Sequence, residues 1–194
     1  MRRNNLLAVA AASGAMVVLS ACSINVQKEP NGQDKQVDIK TLVGGMHVSN
    51  QADASDIGIP IYPGARLQDK DTDGSNKSAN VNLSGFGYGL RVIALEYESD
   101  DAPEKVVAFY RDQLKKYGNP IECRTSGLDI DTNMASQGSK DKSDELTCEK
   151  SSGKDVELKV GKKHDQHIVA IEPQGKGSKF SLVYVRTHGK DADI

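Results

Sequence analysis

The chain has 194 residues with 25 basic and 27 acidic side chains, a formal charge of −2, 5% aromatic residues and no Trp. No basic excess is on offer to nucleic acid, so that partner is excluded, and the scarcity of aromatic rings excludes a large aromatic sugar-binding platform. The length suits one domain with a sizeable core.

Residues 1–21 begin with Arg2 and Arg3 and continue through a mostly apolar stretch, Leu6 to Leu19, rich in Ala, Gly and Ser. A membrane span needs roughly 20 apolar residues, and this stretch is too short and too rich in small residues, so it reads as an export signal. It ends in Leu19-Ser20-Ala21-Cys22.

Those four residues resemble the lipobox of bacterial lipoproteins: Leu, a small residue, Gly or Ala, then Cys. The resemblance implies cleavage before Cys22, diacylglycerol on its sulfur and a further acyl chain on its new amino group. Two or more chains are enough for stable anchoring, each buried CH₂ contributing about 0.8 kcal/mol. The partner so implied is a membrane, reached through the lipid on Cys22, with an envelope protein as a further partner. In such lipoproteins an Asp after the Cys favours the inner membrane; Ser23 stands there instead, which implies the outer membrane, on its periplasmic or surface face, if the host is Gram-negative. Removal of residues 1–21 leaves 23 basic against 27 acidic side chains.

Residues 22–36, polar and with Pro and Gly, read as a flexible tether. Val37, Ile39 and Thr41, a Gly44-Gly45 turn signal, then Met46 and Val48 predict a β-hairpin over 37–48. The main body, 58–189, opens on a Pro63-Gly64 turn of type II. Two alternating runs, 79–86 and 89–99, are predicted strands, and Gly85, Gly87 and Gly89 between them mark a tight turn or bulge rather than a phosphate loop, because a strand and not a helix follows.

The clearest helix is 102–117. Asp101 with Glu104 has the form of a capping box, Pro103 sits in the first turn, and Val107, Tyr110, Leu114 and Tyr117 make one apolar stripe ended by Gly118. Three further strands are predicted at 156–160, 166–172 and 180–187, and residues 126–142 have no pattern. The expected class is α+β: a mostly antiparallel sheet with this one main amphipathic helix packed on one face, plus the N-terminal hairpin. Residues 37–189 form the single domain, and 190–194 are a tail.

Residues 59–65, "IPIYPGA", followed by "DDAPEKVVAFYRDQL" and "YG", resemble a class of bacterial exported proteins in which a Tyr-Pro-Gly-Ala turn precedes a Pro-Glu-x-Val-x-x-Phe-Tyr helix. The resemblance covers about 37–189 and implies architecture without an activity.

Of the three cysteines, Cys22 is assigned to lipid and two remain. Cys123 and Cys148 lie in short alternating stretches and, in an oxidising compartment, are expected to join two neighbouring strands as a disulfide. The stretch Asp69-Lys70-Asp71-Thr72-Asp73-Gly74 matches the opening of an EF-hand loop. Lys77 at position 9 and Asn80 at position 12, where a bidentate Glu belongs, argue for an acidic turn instead, with at most a weak cation site on Asp69, Asp71 and Asp73.

His164 and His167 beside Asp165 form a second candidate metal set, opposed by the placement of His164 in a turn and His167 on a strand. Two Ser-x-x-Lys matches, at Ser139 and Ser151, lack the helix and companion motifs that a penicillin-binding site needs. No catalytic set can be assembled and no cofactor is implied. The expected function is a non-enzymatic, membrane-anchored binding or envelope-structural module. The alternative is a weak divalent-cation protein or metal-dependent hydrolase using Asp69–Asp73 or His164/His167.

Overall fold

A computed structural model describes residues 22–28, 34–49, 52–68, 78–126, 144–148 and 152–189. The architecture is a mostly antiparallel sheet with a small helix. Among the described residues ten strands make up the sheet: β1 (Ser23–Lys28), β2 (Asp34–Thr41), β3 (Gly44–Ser49), β4 (Arg66–Leu67), β5 (Ser78–Gly85), β6 (Tyr88–Ser99), β7 (Ile121–Thr125), β8 (Asp155–Lys162), β9 (Asp165–Gln174) and β10 (Gly177–His188). Their spatial order is β1-β2-β3-β5-β6-β10-β9-β8-β7, and the short β4 pairs with β6 beyond the start of β5.

Alternation along β6 divides the sheet into two faces. Ile93, Leu95 and Tyr97 point to one side, where they meet Leu182 and Phe180 of β10, Val169 and Ile171 of β9, and Val156, Leu158 and Val160 of β8. The helix α2 (Pro103–Gln113) covers this face with Val106, Val107 and Tyr110 and continues as a 3₁₀ turn, Leu114–Tyr117, in which Leu114 is also buried. A one-turn helix, α1 (Ala54–Ile57), adds Ile57 to the same core. On the opposite face Ile168, Val183 and Val185 make a small second cluster with Leu90, Val92 and Ala94.

The predicted helix is thus present, as an α-helix followed by a 3₁₀ turn, but its expected capping box is not. The N-cap is Ala102, with no side-chain capping bond. The Asp101 carboxylate is instead taken by the Tyr62 hydroxyl at 2.9 Å and by Lys105 Nζ at 2.7 Å, one turn along the helix. Tyr62 belongs to the Tyr62-Pro63-Gly64-Ala65 turn, which is of the expected kind: Gly64 has φ 76° and Ala65 N–H donates to Tyr62 O at 3.0 Å.

Three other expectations need correction. The stretch 22–36, read as a tether, contains all of β1 and the start of β2, paired antiparallel from Ser23 with Lys40 to Gln27 with Gln36, with a register shift before Lys28 meets Asp34. The hairpin turn falls at Leu42-Val43 and not at Gly44-Gly45. Thr41 Oγ1 builds that turn by accepting the Val43 and Gly44 N–H groups, at 3.3 and 3.1 Å, and donating to Gly44 O at 2.9 Å. Gly44 serves another purpose: a Cβ there would collide with Ser84 O of β5, so glycine permits the close approach of the two strands. Finally, Cys148 lies in an irregular segment, 144–148, and not on a strand. Residues 1–21, most of 126–142 and the tail 190–194 lie outside the described residues.

Candidate functional site

Beyond α1, the face covered by the helices becomes polar. Cross-strand pairing places Asp38 opposite His47, His47 opposite Asn82, and Asn82 opposite Arg91. Strand alternation then sets these four side chains in one row across β2, β3, β5 and β6. With Lys40, Ser84, Arg186 and His188 they line an open groove of about 670 Å³.

Within the groove the fixed unit is the Asp38–His47 pair. The imidazole Nδ1 lies 2.7 Å from Asp38 Oδ1, and Gln36 Nε2 donates to Asp38 Oδ2 at 3.1 Å. The His47 hydrogen bond is the main reason that the Asp38 carboxyl sits below the usual carboxylate range. Arg91 reaches Asp56 of α1 at 3.6 Å, and Arg186 reaches Asp165 at 3.9 Å. Both contacts are long and both side chains are about half exposed, so terminal guanidinium N–H donors of each remain open to a ligand carboxylate or phosphate, although Arg91 Nε is itself buried without a hydrogen-bond partner. The groove therefore offers acceptors, imidazole nitrogens and two guanidinium groups, a set suited to binding a polar or anionic group.

The expected pairing of Cys123 with Cys148 is present. Cys123 on β7 and Cys148 form a disulfide with Cα atoms 5.5 Å apart, which closes a separation of 25 residues. Cys22 is free and exposed, immediately before β1. No family model matches the chain, and no curated protein or solved structure matches it significantly. Its functional reading therefore rests on its own residues.

Asp69, Asp71 and Asp73 lie outside the described residues, as do Ser139 and Ser151. His164 and His167 are not brought together. His164 Nδ1 lies 2.9 Å from Asp144 Oδ1. His167 is buried, stacked on Tyr117 with ring centroids 3.8 Å apart and flanked by Tyr184 at 4.9 Å. Burial, and secondarily the nearby Lys116, pushes the His167 pKa below its ordinary value, although Asp165 and a backbone bond to Ile57 oppose this. Among the described residues no three His, Cys, Asp or Glu side chains are arranged to hold a metal.

Sequence reading did not single out Asp38, His47, Arg91 or Arg186. Their signal was present as polar residues at alternate positions on four separate strands. Only the register of those strands makes one row of them.

Proposed function

We propose that the chain is an exported protein acylated at Cys22 and held on a membrane, whose domain works without catalysis as a binding or envelope-structural module. The observation that carries this reading is the motif Leu19-Ser20-Ala21-Cys22 behind a short apolar segment with Arg2 and Arg3. An exposed, unpaired Cys22 beside a disulfide that uses up the other two cysteines supports it. A disulfide also fits an oxidising, extracytoplasmic compartment. Ser23 favours the outer membrane in a Gram-negative host.

The Tyr-Pro-Gly-Ala turn and the Pro-Glu-x-Val-x-x-Phe-Tyr helix place the domain, in this proposal, with the exported α+β family it resembles, the amphipathic helix 102–117 being its main covering element. The groove between Asp38 and Arg186 is its binding surface, and its ligand is polar or anionic. Labelled palmitate tests the anchor: the wild type takes up label and Cys22→Ser does not. Label retained by Cys22→Ser would remove the anchor from the account.

A further inference from the structure

Ser23 of β1 is paired with Lys40, which puts Cys22 level with Thr41 and the Leu42-Val43 turn. Gly44 is paired with Gly85 and Gly85 with Tyr88, so the Phe86-Gly87 turn lies at the same end of the sheet. Phe86 N–H donates to Val43 O at 3.2 Å and ties the two hairpin tips together. Strands lie about 4.8 Å apart, so the Phe86 tip is roughly 15 Å from Cys22, three strand spacings away along one edge of the molecule.

These tips are apolar where turns are normally polar. Leu42 is 77% exposed, Phe86 76%, Val43 54% and Tyr88 49%. Ile24 and Val26 of β1 are also exposed, so that among the described residues only Ile61 and Leu67 are large exposed hydrophobics outside this part of the sheet. Phe86 has φ 53°, the left-handed region. Followed by Gly87 at φ 85°, it fills a position of a two-residue hairpin where Asn, Asp or Gly is preferred. Phe86 thus combines an unfavourable backbone conformation with a ring left in solvent, an arrangement suited to contact with another surface.

We infer that the sheet end carrying Leu42, Val43, Phe86 and Tyr88 enters the interface of a phospholipid bilayer beside acylated Cys22. The domain then stands directly on the membrane with its strands rising from it. The inference rests on lipidation of Cys22 and adds a second, side-chain contact that fixes orientation. Aromatic rings favour the headgroup level, and apolar side chains settle about 5–10 Å into the boundary with the acyl chains.

The chain has no Trp, so a single introduced one reports depth. Phe86→Trp, Tyr88→Trp and, as a far-end control, Leu67→Trp are prepared as the full acylated protein and reconstituted into phosphatidylethanolamine–phosphatidylglycerol vesicles with brominated acyl chains. Emission from Phe86→Trp, or from Tyr88→Trp should the first variant fold poorly, is expected to shift to the blue and lose most of its intensity. Emission from Leu67→Trp is expected to stay red and unquenched. Unquenched tip variants, or quenching equal at both ends, overturn the inference while leaving the anchor in place. A blue shift without bromolipid quenching assigns the tips to a protein contact and also overturns it. Absence of acyl label on Cys22 overturns the anchor and this inference together.

Discussion

The hydroxyl of Tyr110 accepts the backbone N–H of Tyr62 at 3.0 Å, inside the core and across 48 residues of sequence. The turn that carries Tyr62 and the helix that carries Tyr110 are therefore one unit. The aromatic rings complete it: Tyr62 meets Phe109 edge-on at 5.2 Å, and Phe180 lies 5.5 Å from Tyr110 and stacks on Tyr97 at 5.6 Å. Burial holds the Tyr110 hydroxyl in its protonated form well above the usual phenol range. Tyr110→Phe strands a buried N–H and is expected to destabilise the domain by about 1–3 kcal/mol. Urea unfolding followed by circular dichroism measures this, and an unchanged midpoint would show that the bond does not matter.

The disulfide closes 25 residues. In the chain-entropy account a loop of that size is worth roughly 3 kcal/mol. Replacing Cys123 and Cys148 together by Ala is expected to lower the melting temperature by that equivalent, and reductant should do the same to the wild type but nothing to the double variant.

Buried within β8, Lys159 Nζ lies 3.3 Å from Glu157 Oε1, with both side chains almost wholly removed from solvent. Taking away one charge leaves the other uncompensated. Glu157→Ala alone is expected to lose about 3–5 kcal/mol, and Glu157→Leu with Lys159→Met considerably less. A double-mutant cycle by chemical denaturation reads the difference directly.

His167 makes stability depend on pH in a definite sense. Its folded pKa lies below the ordinary value of 6.5, so the unfolded chain binds the proton more readily. The contribution is complete above about 6.5 and is lost as pH falls from there through the folded pKa. Denaturation midpoints between pH 5 and 8 are expected to flatten in His167→Asn relative to the wild type.

Much of the sheet could be read from alternation. The strands β8, β9 and β10 carry long alternating or continuous apolar runs, and the stripe of α2 is plain in Val107, Tyr110 and Leu114. What escaped is set by distant partners. Ser23–Lys28 is too short and polar to declare itself a strand and becomes one by pairing with β2. Gly44 looks like a turn residue but is required by the backbone of β5. Asp101 has the position of a helix cap, yet Tyr62, 39 residues earlier, and Lys105 compete for it and win. The groove was hidden for the same reason, since Asp38, His47, Asn82 and Arg91 become neighbours only through three strand registers.

The left-handed Phe86 yields a prediction about folding that is independent of lipid. A non-glycine residue in that conformation costs about 1–2 kcal/mol. Phe86→Gly is therefore expected to raise the denaturation midpoint while weakening the membrane contact, and a lowered midpoint would assign the ring a structural role.

The most direct test of the account is mass spectrometry of the mature amino-terminal peptide purified from cell envelopes. The expected result is a chain that begins at Cys22, carrying diacylglycerol on sulfur and an acyl group on the new amine. A chain that begins elsewhere, or a Cys22 with a free thiol, would contradict it.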